Sequence, residues 1–122
     1  MFTNCEALKL HLKKLQNACN DGVVIVEGKH DVAALKSLLN ADFFTINGTK
    51  RSLYETAEHI ASKYRSAILL LDADKKGKEL RGKMSSYLRS HGVRVLVEEK
   101  LLKLAKVRNV EGLCSTALLR EL

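Results

Sequence analysis

Two short stretches bring together residue types that could hold a cation against a phosphate. The apolar run 67–71 leads directly into Asp72, Ala73 and Asp74, followed by Lys75, Lys76 and Gly77. The β-branched run 23–26 leads in the same way into Glu27, Gly28, Lys29, His30 and Asp31. Carboxylate oxygens are the ligands that hard cations such as Mg²⁺ take, and Mg²⁺ is usually held by one or two of them plus substrate phosphate. At a strand tip residues i and i+2 project to one side, so Asp72 and Asp74 can face one ion while Ala73 turns away. The working hypothesis is a divalent-metal site built from two strand tips. The plainer reading of either aspartate alone is a helix cap, since aspartate is a favoured cap residue. Pairing with Glu27, together with the order in which such motifs follow one another along the chain, is what favours metal.

That hypothesis makes demands on the elements carrying the acids. Strands are expected at 23–26, 43–46, 67–71 and 93–97, the first without polar alternation, as for a strand covered on both faces. Helical spacing places Leu8, Leu12, Leu15 and Cys19 on one face over 3–20, and Leu53, Ala57 and Ile60 on another over 52–63. Between these, Asp31 is positioned to cap a helix carrying Val32, Leu35, Leu38 and Leu39. After Gly77 a helix with Leu80, Met84, Tyr87 and Leu88 is expected to reach Ser90. The tail predicts a short helix over 98–106 and a last one capped by Asn109, burying Val110, Leu113, Leu118 and Leu119. Strands alternating with helices predict a three-layer α/β fold with a mostly parallel four-stranded sheet. The acidic tips meet only if the first and third strands are neighbours, which selects the order 2-1-3-4. The loop 47–52, which joins Gly48 to hydroxyls and to Lys50 and Arg51, then borders the same crevice.

The 122 residues are expected to form one domain, with 46% hydrophobic and 29% charged residues and no apolar run long enough to span a membrane. A cytoplasmic location is the default expectation. A net charge of +7 favours a polyanionic partner such as nucleic acid. Three cysteines without C-x-x-C spacing suggest neither disulfides nor a zinc knuckle. No two histidines have metal-ligand spacing; His30 lies in the first acidic loop, and His11, His59 and His91 read as surface or capping residues.

E-G-K-x-D at 27–31, N-G-T at 47–49 and D-x-D-x-x-G at 72–77, in this order and each at a strand end, resemble the Toprim domain. That family is shared by topoisomerases, bacterial-type primases, OLD-type nucleases and a ribonuclease that matures ribosomal RNA. The resemblance covers about 23–97, with helical additions on either side. It implies that Glu27 is the family's glutamate, as metal ligand or general acid/base, and that Asp72 and Asp74 bind Mg²⁺, with Mn²⁺ as a substitute. Lys29, Lys50, Arg51, Lys75, Lys76 and Lys78 would line the crevice and steer a phosphodiester strand, or else form a solvated face. Gly28, Gly48 and Gly77 would allow tight turns or close approach of phosphate to backbone, and Asp31 is a cap first and a support to the metal site second. Topoisomerase and full primase activities need domains that these residues do not supply. Hydrolytic cleavage of RNA or DNA fits best. The rival is a metal-dependent nucleic-acid-binding module, or a subunit of a larger primase or nuclease assembly. A receiver-like signalling domain fits less well, because it would want an acidic pair where Glu27-Gly28 stands.

Overall fold

Five consecutive buried residues, Gly22–Val26, form the central strand β1, which has a parallel neighbour on each side. The structure, a computed structural model, describes residues 4–115. Helix α1 (Asn4–Ala18) and a 3-10 turn (Cys19–Asp21) precede β1, and α2 (Lys29–Lys36), β2 (Asp42–Thr45), α3 (Leu53–Ala61), β3 (Ser66–Leu69), α4 (Lys75–Ser90), β4 (Arg94–Val97), α5 (Lys100–Ala105) and a second 3-10 turn (Glu111–Ser115) follow. The sheet is parallel throughout, in the expected order β2-β1-β3-β4.

Strand periodicity divides the core into two layers. Val24, Val26, Ile68 and Leu70 point to one face, where they pack with Leu8 of α1, Leu35 of α2 and Leu101 of α5. Val23, Ile25, Leu69 and Leu71 point to the other and meet Ile60 of α3 with Met84 and Leu88 of α4. Helix α2, which leads from β1 to β2, therefore lies opposite α3 and α4, which lead back across β1 and out to β4. This reversal puts the switch point between β1 and β3.

Local chemistry fixes the helix starts. Ser52 Oγ accepts from the Glu55 N–H at 3.1 Å, and Glu55 Oε1 accepts from the Ser52 N–H at 3.2 Å, a reciprocal cap for α3. Asp31 does not precede its helix as expected. It lies inside the first turn of α2 and caps from there, accepting the Gly28 N–H at 3.0 Å. Likewise α4 begins at Lys75, so Gly77 sits within its first turn.

Two further expectations change. His11 is not a plain surface residue, because its Nε2 lies 3.0 Å from Oε2 of buried Glu98, which also accepts the Leu101 N–H at 2.8 Å. A buried carboxylate needs such partners, and this one ties α1 to the start of α5. Where a last helix was expected, the 3-10 turn Glu111–Ser115 buries Leu113. Asn109 does cap it, accepting the Gly112 N–H at 2.7 Å, whereas Leu118 and Leu119 lie outside the described residues.

Candidate metal centre

The β1–β3 register pairs Ile25 with Leu69, and the Leu70 N–H continues the ladder to the Ile25 carbonyl at 3.0 Å. Counting on, Glu27 falls beside Leu71, one residue before Asp72. The sheet thus brings together the acids at the two strand tips, at the switch point where open α/β sheets bind ligands.

Each acid is held differently. Asp74 is the N-cap of α4, and its Oδ1 accepts the Gly77 N–H at 2.7 Å; the capping role weighed against metal is therefore present. Asp72 Oδ1 accepts the Val110 N–H at 2.9 Å, and next to it the Ala73 N–H donates to the Arg108 carbonyl at 2.8 Å. These two bonds strap residues 108–110 across the acidic loop. Glu27 is half-buried, and its Oε1 is shielded from solvent with no hydrogen-bond partner among the described residues.

The acids feel one another. Burial, then the Asp72 carboxylate, pushes the Glu27 carboxyl above its ordinary value; Asp74 and Asp31 add to this, and Lys76 opposes it. Asp31 is also raised, by burial first and then by Asp72 and Glu111, against the pull of the Gly28 N–H. A shielded carboxylate oxygen lacking a donor, inside a group of mutually repelling acids, is the environment that a divalent cation relieves. Among the described residues no three potential ligands are grouped closely enough to hold an ion unaided. A cation held by one or two carboxylates, waters and a substrate phosphate does not require such a cage. The donor set fits Mg²⁺ on these terms.

The raised carboxyls set a pH dependence. A folded-state value above the unfolded one contributes stability at low pH that is lost as pH rises through the folded value. In EDTA, the melting temperature of the wild type is therefore expected to fall relative to Glu27→Gln as pH rises above 4.5, the ordinary value of Glu27. Added Mg²⁺ should close that gap. Parallel melting curves across the range would count against the repulsion described here.

The cations are distributed around the acids. Lys29 and His30 open α2 and line a hollow of about 790 Å³ with Asn47, Gly48, Thr49 and Arg51. Gly48 has φ +86°, the left-handed turn geometry that glycine allows. Gly28 occupies the N-cap of α2. Lys50, Lys75, Lys76 and Lys78 are exposed; Lys76 is the cation Glu27 feels, and Lys78 belongs to a second hollow on the far side of the acidic loop. Sequence reasoning missed the strap, because Val110 and Arg108 contribute through backbone atoms, which leave no mark on side-chain type. It also passed over Glu111, whose charge reaches Asp31 only because the 3-10 turn folds against α2.

A model of the Toprim domain matches residues 22–108. The chain is 33% identical over 104 residues to ribonuclease M5 of Mycoplasma genitalium, covering 84% of this chain and 58% of that protein. It is 40% identical over 98 residues to a UPF0292 protein of Thermococcus gammatolerans, covering 76% of this chain and 71% of that one. Among solved structures, a protein from Aquifex aeolicus superposes with a TM-score of 0.66 at 29% identity, over 82% of this chain and 92% of that chain. No described helix is long and apolar enough to cross a membrane.

Proposed function

The chain belongs to the Toprim domain family, and from that premise we propose that it binds Mg²⁺ through Glu27, Asp72 and Asp74 and cleaves phosphodiesters of RNA or DNA. The observation that carries the reading is the shielded Oε1 of Glu27, unpartnered among the described residues, at the junction of β1 and β3 and within the field of Asp72 and Asp74. The match to ribonuclease M5 supports nucleic acid as the substrate class, although the chain spans only 58% of that protein's length. The net charge of +7 supports it independently.

Bound Mg²⁺ would supply Lewis-acid stabilisation of the charge that builds on the phosphoryl oxygens. Asp72, oriented by the Val110 N–H, and Asp74, fixed at the start of α4, would hold it through their carboxylates. Glu27, with its raised carboxyl, either adds a third ligand or carries the proton between water and the bridging oxygen. Lys29, Arg51, Lys75 and Lys76 offset the clustered negative charge and draw the strand toward it. The second reading, a module that binds without cutting, is favoured by one feature: the described acids do not form a closed ligand cage, so a partner protein could complete the site.

Asparagine tests the carboxylates cleanly. At 74 it caps a helix about as well as aspartate, and at 72 its Oδ1 can still accept the Val110 N–H. Asp72→Asn and Asp74→Asn should fold normally yet bind Mg²⁺ at least about 10-fold more weakly in calorimetry, since losing even an outer-shell partner costs about 10–100-fold. Labelled single- and double-stranded RNA and DNA should be cut by wild type with Mg²⁺ or Mn²⁺ and not in EDTA. Undiminished Mg²⁺ affinity in both variants would overturn the site, and binding without cleavage on every substrate would favour the second reading.

A further inference from the structure

Behind the acidic loop, on the side away from the Lys29–Arg51 hollow, lies a second hollow of about 450 Å³ between α4 and α5. Ala73, the residue between the two aspartates, forms part of its wall. Leu71, Leu102 and Val107 give it an apolar floor, while Lys78 and Arg81 from α4 and Lys103 from α5 bring cations to it. Arg81 is mostly buried and is held by Glu99, with Nη2 2.9 Å from Oε1. An arginine fixed in this way by a more exposed carboxylate keeps guanidinium N–H groups for a second acceptor. Three cations above an apolar floor match a ligand that is anionic at one end and flat and apolar at the other.

Adjacent Cα atoms are about 3.8 Å apart, so the wall at Ala73 starts one residue from each metal-binding aspartate. A strand whose phosphate lies against Asp72 and Asp74 would reach the hollow with a neighbouring nucleotide. We propose that this hollow is a nucleotide subsite, with phosphate against Lys78, Arg81 and Lys103 and sugar and base on Leu71, Leu102 and Val107. Its place beside a scissile phosphate rests on the nuclease reading. The affinity of the hollow for a nucleotide requires no metal, which allows the two to be tested apart. Arg81 and Lys103 join the substrate-binding residues on this basis, and Glu99 sets the affinity by competing for Arg81.

The test is a titration of the ¹⁵N-labelled chain with 5′-AMP in EDTA, followed by amide shifts, with inorganic phosphate as a second probe. AMP should move the amides of Ala73, Lys103 and Val107. Lys103→Glu, an exposed change on α5, should weaken AMP and a single-stranded 12-nucleotide RNA by about 10-fold or more. Glu99→Gln should tighten both by releasing Arg81. AMP shifts that avoid these amides, or an affinity indifferent to Lys103→Glu, would overturn the subsite even if the protein cuts nucleic acid. Phosphate binding as tight as AMP would overturn the nucleotide assignment, because the apolar floor would then contribute nothing. AMP seated in the hollow of a protein that neither binds Mg²⁺ nor cuts would defeat the nuclease reading and leave the subsite standing.

Discussion

Glu27→Gln is expected to reduce metal-dependent cleavage by about 10²–10⁴-fold, the range typical for removal of a positioned proton carrier, while the metal-free protein becomes no less stable. The second half follows from the field at this position. Glu27 is raised by burial and by three acidic neighbours, so its ionised form is disfavoured in the folded chain, and a neutral amide of the same shape removes that repulsion. A purely structural glutamate would behave oppositely, losing stability along with activity. Cleavage rates with Mg²⁺ and melting curves in EDTA, measured on the same two proteins, decide the matter. Cleavage by Glu27→Gln within a few-fold of wild type would remove Glu27 from the chemistry.

The residues that define this experiment were legible in the sequence because each obeys a local rule. An uninterrupted apolar run, β-branched at 23–26 and leucine-rich at 67–71, marks a strand buried on both faces, and acids immediately after both runs mark the strand tips. The order 2-1-3-4 followed from requiring those tips to meet, and the sheet has that order. Boundaries were harder to read. Asp31 looks like the residue before a helix, but the helix starts two residues earlier, because an aspartate in the first turn can reach back to the Gly28 N–H as effectively as a cap placed in front. Gly77 resembles a turn glycine and lies in a helix. The strap at 108–110 was not legible at all, since its bonds to Asp72 and Ala73 run through backbone atoms 35 or more residues away in sequence.

Gly77 provides the second large effect, and helix α4 carries its own control. A Cβ at position 77 would run into the Asp72 carbonyl oxygen and lie 2.9 Å from its carbonyl carbon. These are backbone atoms, pinned on the far side by the strap, and they cannot swing aside as a flexible side chain would. Gly77→Ala should therefore destabilise the protein by about 1–3 kcal/mol, the usual cost of overpacking, and displace Asp72 enough to weaken Mg²⁺ binding. Gly82 lies one turn and a half further along the same helix, exposed, with nothing within 4 Å of its would-be Cβ. Gly82→Ala should stabilise by about 0.5–1 kcal/mol through helix propensity alone. The same substitution on one helix should thus have opposite signs, read from two urea denaturation curves. A Gly77→Ala variant as stable as Gly82→Ala would mean that α4 does not press on the acidic loop.

The strap also bears on how the protein is made. Asp72 is synthesised before the residues that fasten it, and 38 positions separate it from Val110. At about 5–20 residues per second that interval lasts roughly 2–8 seconds. During it the nascent chain carries its acids without the backbone donor that orients Asp72, so the centre matures only when synthesis has passed residue 110. A chain cut short before residue 108 is expected to carry all three acids but to leave Asp72 without its backbone donor.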